Sequence, residues 1–468
     1  MAVKHYLKEL ENMTPAQVKE VLDLKAQEMK NAIISTPNYQ PKNERVIYVS
    51  NSGCDCNDGL TPETAIATLA KVNEITLPGD TILFKRGDHF RGNVTVDKDG
   101  VTYASYGDGV KPIIDSSPRN FSDVTIWEKT DVENVWHLTV KVNNVGLAHF
   151  DPSYTYGEYN ELYGKFRMKS KDFEGYKDLK SDLEFYSDYH TQDFYLYSEK
   201  NPAERFLDIE LAPAGNTFSG SANDVTFDGL WITHTGSHGI GSGTTKNRVV
   251  RNCVFSWLGG SILTLDFYGS GPVRFGNAVE IYGGCDGYLV ENNWMYQIYD
   301  TAVTHQFSGG NCECHQHNVS YQNNLMEFCF WFIEYYNADC QGNPQSVKNV
   351  YMKGNFCRYG GYGWGCKGRE YGTPMYCGST VCCDVENHVA ENNIFYQCLG
   401  YLIVLANCEG HKPEILRNNV YVNPKGEKFA NVFGQVLNFD GTEKEMLKKY
   451  VNEEEPTVVY MPRPNYNF

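Results

Sequence analysis

The chain has 468 residues, with 41 lysine and arginine residues against 58 aspartate and glutamate residues. Its formal net charge of −17 repels phosphate backbones and anionic lipids, so nucleic acid is not expected as a partner. No apolar run reaches the roughly 18 residues of a transmembrane segment, so no membrane partner is expected either.

Residues 1–40 predict a helical segment ahead of the main fold. Thr14-Pro15-Ala16-Gln17 is typical of a capping box with proline at the first helical position. The segment lacks the apolar core of a secretory signal. With 15 cysteines scattered through apolar positions, this predicts mostly free thiols and a cytoplasmic location, with secretion after signal removal as the alternative.

Residues 45–118 predict the first rungs and cap of a solenoid. The stretch 46–50 alternates as a strand, an Asp/Gly-rich loop and a short helix follow, and Pro78-Gly79-Asp80 turns into a second strand. This order resembles the capped first rungs of bacterial right-handed parallel β-helix proteins.

Residues 119–212 interrupt that pattern with tryptophan and tyrosine at period two, which predicts antiparallel strands. We interpret them as an inserted β-sandwich. Several β-helical glycoside hydrolase families carry such an insertion, and Phe194–Pro202 resembles one of its strands.

Residues 213–440 repeat, and residues 441–468 form a tail. One column of the repeat holds Gly229, Asn252, Asn293, Asn318, Asn355, Asn393 and Asn419. Asparagine suits such a corner because it tolerates left-handed backbone and its amide can bond to the next rung. The sequence therefore predicts an all-β, right-handed parallel β-helix, with Asn293, Asn318, Asn355 and Asn393 at one corner.

The strands within 277–284, 302–307 and 328–337 are expected side by side, about 4.8 Å apart, on the sheet from which the long loops leave. This region resembles the central rungs of β-helical glycoside hydrolases, the group that holds certain β-xylosidases, xylanases and fucosidases. The resemblance implies hydrolysis of an oligosaccharide or polysaccharide by a carboxylate pair. The candidate catalytic residues are Asp300, Glu280, Glu334, His305 and Glu327.

Two pairings stay open at this point, because the strand register is unknown. Glu280 and Asp300, one rung apart, would suit the separation of about 5–5.5 Å that retains configuration. Glu280 and Glu334, two rungs apart, would suit the roughly 6.5–9.5 Å of an inverting enzyme. The competing interpretation is that the glutamates are solvated strand residues and that Asp300 caps a turn.

The candidate substrate-binding residues are His238, Arg274, Trp331, Tyr335, Trp364, Lys367 and Arg369. Tyr336 and Tyr362 are further candidate stacking rings, since aromatic faces pack against sugars. For all of these rings, and above all for Trp331, packing beneath the long loops is the competing interpretation.

No cofactor is expected, with two alternatives. Soft zinc ligands occur at Cys312, Cys314, His315, His317, Cys377, Cys382 and Cys383, but without a CxxC spacing, and buried thiols explain them as well. Asp55 and Asp58 offer oxygen ligands for Ca²⁺, although such loops are usually plain turns.

Two other functions fit the same fold. A polysaccharide lyase or epimerase acting on a uronate-containing glycan would use a base and a cation from Lys367, Arg369, Arg274 and His305. A non-catalytic glycan-binding solenoid would need none of the carboxyl groups.

Overall fold

A computed structural model describes residues 7–156, 162–170, 172–307, 310, 312–337, 341–367, 369, 372–377, 384–405, 415–432, 434–451 and 453–464. Three ten-stranded sheets wind around one core, with neighbouring strands parallel throughout except for the last pair of one sheet. The predicted all-β parallel β-helix is confirmed. The Cβ alternation of each strand places valine, isoleucine, leucine and phenylalanine inside the solenoid.

The three sheets are named A, B and C. The strands of sheet A are Val46–Val49, Thr81–Lys85, Thr102–Tyr106, Thr226–Asp228, Thr245–Arg251, Cys285–Glu291, Cys314–Gln322, Gln345–Lys353, Asp384–Glu391 and Ile415–Arg417. Those of sheet B are His89–Arg91, Ile113–Asp115, Trp231–Thr233, Val254–Leu258, Trp294–Ile298, Leu325–Glu327, Phe356–Gly360, Ile394–Cys398, Val420–Asn423 and Thr457–Tyr460. Those of sheet C are Val94–Thr95, Phe218–Ser219, Ile240–Ser242, Val279–Tyr282, Thr301–Phe307, Trp331–Asn337, Thr373–Cys377, Ile403–Leu405, Lys428–Val432 and the antiparallel Gln435–Asn438.

A buried asparagine ladder marks the corner between sheets A and B. Its members are Asn293, Asn324, Asn355, Asn393 and Asn419, at intervals of 31, 31, 38 and 26 residues. Each side-chain oxygen accepts from the backbone and the side-chain N–H of the asparagine one rung earlier. The ladder ends on Glu453, whose Oε1 lies 3.0 Å from Asn419 Nδ2.

The predicted corner is confirmed for Asn293, Asn355 and Asn393 and is wrong for Asn318. Asn318 lies inside a strand of sheet A, in a second and exposed ladder with Asp286, Asn349 and Asn387. Both sites favour asparagine, one for a buried amide and one for a left-handed backbone, with φ of +56° at Asn318. Asn252, also in the predicted column, occupies a third position, with φ of +55° directly before Cys253 at the corner. The predicted column therefore merged three asparagine positions of the repeat.

The helix Pro15–Ile34 lies on the outer face of sheet B. The predicted capping box is present, with Thr14 N–H donating to Gln17 Oε1 at 2.9 Å. Leu22 and Ala26 pack in one apolar cluster with Trp231 and Trp294 of sheet B. The remaining helices are Leu69–Ile75, Pro202–Arg205 and Glu443–Val451, with 3₁₀ turns at Leu10–Asn12, Pro62–Thr64, Val124–Ile126, Tyr176–Asp178 and Trp364–Cys366.

An excursion separates Ile113–Asp115 of sheet B from Phe218–Ser219 of sheet C. Its two sheets share one core, which contains Phe150, Phe185 and Phe194. They consist of Lys165–Phe166, Glu184–Ser187, Phe194–Tyr197, Val135–Leu138 and Trp127–Lys129, and of Leu147–Phe150 with Ile209–Ala212. Farther along the chain, Ser261–Thr264 and Val273–Phe275 form an antiparallel hairpin.

Among the described residues, free thiols occur at Cys253, Cys285, Cys312, Cys329, Cys357, Cys366 and Cys398. Cys54 is joined to Cys56 by a disulfide. None of the described helices combines the length and apolarity that a membrane crossing requires.

Candidate active site

Two of the predicted carboxyl groups occupy one column on the outer face of sheet C. Glu280 is in register with Thr304, and Thr304 with Glu334. Their neighbours Val279, Val303 and Ile333 fill the core, so alternation directs Glu280, Thr304 and Glu334 outward. We call these three residues the acid column. Its two glutamates lie two rungs apart, which is about 9.6 Å between their Cα atoms.

Glu334 is the member of the acid column that holds a proton. Its side chain is 8% exposed and accepts a hydrogen bond from Thr301 Oγ1 at 2.9 Å. Burial, followed by the negative charges of Asp300 and Glu280, raises the pKa of Glu334 to about 8. The carboxyl group is therefore protonated at neutral pH and can donate.

Glu280 contacts two polar side chains, one at each carboxyl oxygen. His238 Nδ1 accepts from the Asn277 backbone N–H at 3.1 Å, so its proton is on Nε2, which pairs with Glu280 Oε2. Gln306 Nε2 donates to Glu280 Oε1 at 3.0 Å. Both contacts favour the ionised form. Between the two glutamates, Thr304 Oγ1 is buried and has no hydrogen-bond partner within the described part of the chain.

Asp300 lies at the edge of sheet C and is paired with Arg369. Arg369 Nη2 donates to Asp300 Oδ1 at 2.9 Å, and Arg369 Nη1 donates to the Tyr299 carbonyl at 2.6 Å. The guanidinium group also lies 3.4 Å from the centroid of the Phe330 ring. These contacts fix a negative charge beside Glu334.

A groove of about 380 Å³ opens at the Glu280 end of the acid column and extends towards the N-terminal rungs. Its described lining contains no lysine or arginine and consists of Asn216, Ser219, Gly220, Ser221, His238, Gly241, Ser242, Gly243, Phe275, Glu280 and Tyr282. Gly241 is in register with Glu280, and Ser219 with Gly241, so small residues continue the column as a shallow floor. The arrangement brings together five predicted site residues: Glu280, Glu334, Asp300, His238 and Arg369.

The expectation that His305 and Tyr335 face this groove is wrong. Both alternate with the acid column and point into the solenoid, where their rings stack with centroids 5.5 Å apart. His305 lies 3.2 Å from Tyr321 Oη and from His388 Nε2. Burial lowers the pKa of His305 to about 3, so the ring stays neutral.

The prediction that Glu327 is a catalytic residue at this groove is also wrong, because its strand belongs to sheet B. It lies beneath the helix Pro15–Ile34, where Lys30 Nζ is 2.8 Å away and Arg358 Nε is 3.4 Å away. Trp294 Nε1 donates to Glu327 Oε2 at 2.9 Å. Glu327 therefore anchors the helix and does not reach the groove.

Three further predicted binding residues have structural contacts. Trp364 is buried and donates from Nε1 to the Gln297 carbonyl at 2.8 Å. Arg274 donates to the carbonyls of Gly146 and Gly260 and ties the hairpin to the inserted sheets. Tyr362 is likewise buried.

Two predicted residues lie nearer the surface. Lys367 is exposed, with Nζ 5.3 Å from the centroid of the Tyr163 ring of the insert. Trp331 is half-buried, with its ring 5.0 Å from that of Phe330.

Sequence reasoning missed Thr304, Gln306 and Tyr282. Each is identified only by the register of the strands, since Thr304 pairs with Glu280 and Gln306 pairs with Tyr282. The signal available in the sequence was the spacing of two residues from Thr304 to Gln306 and from Glu280 to Tyr282, which places each pair on one face.

Four of the residues considered as alternative metal ligands make hydrogen bonds within the protein. Asp55 accepts from the Ala67 and Thr68 backbone N–H groups and so shapes its loop, and Asp58 accepts from Leu60 N–H. His315 and His317 both contact Ser346 Oγ at 2.6 Å. Cys382 and Cys383 lie outside the described residues, as does the side chain of Cys377.

A different cluster has metal-ligand chemistry among the described residues. Asp115, Glu210 and His234 offer ligand atoms within 4.8 Å of one another. Arg91 already donates to both oxygens of Glu210, at 2.8 and 2.5 Å, and His234 Nδ1 lies 2.9 Å from Asp115 Oδ2. Since a cation neutralises Glu210, we interpret the cluster as an ion network that fastens the insert to sheet B.

Neither the sequence-family profiles nor the curated proteins contain a match to this chain. Solved structures of low identity are similar to this chain over most of its length. A glycoside hydrolase is similar with 10% identity and a TM-score of 0.44, over 91% of this chain and 97% of that one. A GH136 lacto-N-biosidase from Eubacterium ramulus has 12% identity and a TM-score of 0.38, over 95% and 71%. A rhamnogalacturonan lyase has 12% identity and a TM-score of 0.32, over 79% and 84%.

Proposed function

We propose that this protein is a carbohydrate-active enzyme and, more narrowly, a glycoside hydrolase that uses Glu334 as general acid and Glu280 as general base. The observation that carries the proposal is the acid column itself. A protonated carboxyl group and an ionised one face the same side of one sheet, two rungs apart, beside an open groove. Perturbed carboxyl groups in a cleft are typical of catalytic sites.

In the proposed reaction, Glu334 gives its proton to the glycosidic oxygen as the bond to the anomeric carbon breaks. Glu280 takes a proton from the water molecule that attacks the opposite face of that carbon. A spacing of two rungs suits the roughly 6.5–9.5 Å between the carboxyl groups of inverting enzymes, so we propose inversion. The ionised Asp300 then stabilises the positive charge that develops on the sugar ring.

The alternative pair, Glu280 with Asp300, has weaker support. Glu280 receives hydrogen bonds from His238 and Gln306, and Asp300 receives one from Arg369. Both groups are therefore favoured as anions, and neither is prepared to protonate a leaving oxygen.

A lyase also has weaker support. It would need a base and a cation to neutralise a uronate carboxylate. Arg369 is paired with Asp300, Arg274 is engaged by backbone carbonyls, and the described groove lining contains no lysine or arginine. The described lining therefore has no lysine or arginine free to compensate the charge of a uronate.

The test is a screen of aryl-glycosides and oligosaccharides with the wild type and with Glu334→Gln, Glu280→Gln and Asp300→Asn. Each of the two glutamate variants should lose at least about 100-fold in turnover on natural oligosaccharides. Glu334→Gln should lose much less on aryl-glycosides with good leaving groups, because those need no proton. Glu386→Gln, at an exposed position on sheet A, is the matched control and should keep full activity.

Two further readouts test the assigned roles. Wild-type activity should fall above a pH of about 8 as Glu334 ionises, and that alkaline limb should disappear in Glu334→Gln. Proton NMR of the first product should show the inverted anomer. Ultraviolet absorbance from an unsaturated product on polygalacturonate would replace the hydrolase proposal by a lyase, and full activity in both glutamate variants would refute this site.

A further inference from the structure

A second outward column runs beside the acid column on sheet C. Tyr282 is in register with Gln306, and Gln306 with Tyr336. Each of these residues follows a member of the acid column by two positions, so the columns lie about 6.6 Å apart. We call Tyr282 and Tyr336 the aromatic pair. Tyr282 also lines the groove that contains Glu280.

The hairpin Ser261–Thr264/Val273–Phe275 exposes further aromatic side chains. Its tip exposes Tyr268 at 93% and Phe267 at 47%, while Tyr282 on the sheet is 40% exposed. Burial, followed by the neighbouring Tyr268 and Tyr282, raises the pKa of Tyr336. The rings of Phe267 and Tyr268 contact each other with centroids 4.8 Å apart, so the tip of the hairpin is an exposed aromatic surface. A contiguous group of exposed aromatic side chains is typical of a binding surface.

We propose that the aromatic pair forms a stacking subsite for an uncharged sugar ring, next to the ring whose bond is broken. The proposal rests on the function proposed above and deepens it, since it makes an oligosaccharide the substrate. Tyrosine suits the purpose because its ring packs against the apolar face of a sugar while its hydroxyl group stays in contact with water. Gln306, which donates to Glu280, lies between the two tyrosines and links the subsite to the acid column.

The charge of the site selects against an anionic ligand. Glu280, Asp300 and Glu334 lie together, and the described groove lining supplies serine, asparagine and glycine without a lysine or an arginine. A uronate or sulfate group placed here would meet like charge with no cation to compensate it. The small floor at Gly241 and Ser219 leaves room for further rings along the N-terminal rungs.

The experiment measures binding separately from hydrolysis. In a Glu334→Gln background, calorimetry is performed with xylo-, cello-, galacto- and lacto-N-oligosaccharides of at least three sugars and with polygalacturonate. Tyr282→Ala and Tyr336→Ala should each weaken binding of the preferred neutral oligosaccharide about tenfold. Tyr282→Phe should stay within about threefold, since it keeps the ring. Tyr189→Ala, which removes an exposed tyrosine from the insert, is the matched control.

In the otherwise unmodified enzyme, the same alanine variants should raise KM for the oligosaccharide and leave KM for an aryl monoglycoside unchanged. Parental affinity in both alanine variants, or no binding of any neutral oligosaccharide, overturns the subsite. Equal affinity for polygalacturonate overturns its preference for uncharged sugars. A wild type that binds through these tyrosines but hydrolyses none of the probes refutes the hydrolase and leaves the subsite standing.

Discussion

Replacing Asn355 by alanine should destabilise the solenoid far more than replacing an exposed asparagine one strand away. Asn355 is fully buried, and its Oδ1 accepts from Asn324 N and Nδ2 at 3.1 and 3.0 Å. Its Nδ2 donates to the Tyr321 carbonyl at 2.9 Å and to Asn393 Oδ1 at 3.0 Å. Alanine removes four hydrogen bonds, and the buried backbone N–H of Asn324 loses its acceptor Asn355 Oδ1.

Each lost hydrogen bond costs about 1 kcal/mol, and each buried group left unsatisfied adds to that cost. We therefore expect the free energy of unfolding to fall by about 4–6 kcal/mol. The assay is urea unfolding followed by circular dichroism, with the denaturant slope compared between variants to verify that the transition itself is unchanged.

The matched control is Asn349→Gly in the exposed ladder. Asn349 makes two side-chain hydrogen bonds at the surface, and its φ of +56° suits glycine. This variant should stay within about 1 kcal/mol of the wild type, since its partners can bond to water. A loss of less than about 2 kcal/mol in Asn355→Ala, or an equal loss in the two variants, would refute the argument that the buried ladder stabilises the corner.

Three other predictions concern buried titratable side chains. Burial raises the pKa of Glu334 to about 8 and that of Glu453 to about 7, from an ordinary value of 4.5. Their contribution to stability is therefore full below a pH of about 4.5 and is lost as the pH rises from there to about 7 and 8. The melting temperature should fall between these limits, and less steeply in Glu453→Gln. Glu327→Ala leaves two cations beneath the helix Pro15–Ile34 without their carboxylate, so proteolysis of the helix should accelerate while activity is kept, whereas lost activity with a protected helix would contradict the anchoring role. His305→Gln should lower stability by about 1–3 kcal/mol and leave the pH–activity profile unchanged, because the ring is neutral and inside the core; a shifted profile would contradict this.

The fold could be predicted from the sequence because its signals are local. The turn at Pro78-Gly79-Asp80, the capping box at Thr14 and the recurrence of asparagine each depend on a few neighbouring residues. The exact alignment of the repeat was harder to predict, because Asn318 and Asn355 are both asparagine but have different structural roles. Only hydrogen bonds between rungs separate them.

The site was predicted in part, for a physical reason that concerns register. Glu280 and Glu334 could be recognised as strand residues, but their common column depends on Thr304, which lies between them without an informative sequence pattern. A shift of one residue sends a side chain to the opposite face, which is why His305 was assigned to the groove and lies in the core. The assignment of Glu327 failed because periodicity does not reveal to which of three sheets a strand belongs.

The excursion between sheets B and C starts and finishes at a single place. Ser116 Oγ lies 2.8 Å from Thr217 Oγ1, so a segment of about one hundred residues leaves and rejoins the solenoid without disturbing the stacking of successive rungs. The same segment supplies Gly146 and Tyr163, which contact Arg274 and Lys367 near the groove. Insertions or deletions within this segment can thus change the surface near the groove and leave the stacking of the rungs unchanged. The solenoid and the inserted segment can therefore change independently. If the groove binds sugars, as proposed, changes in that segment alone could adapt one solenoid to different sugars.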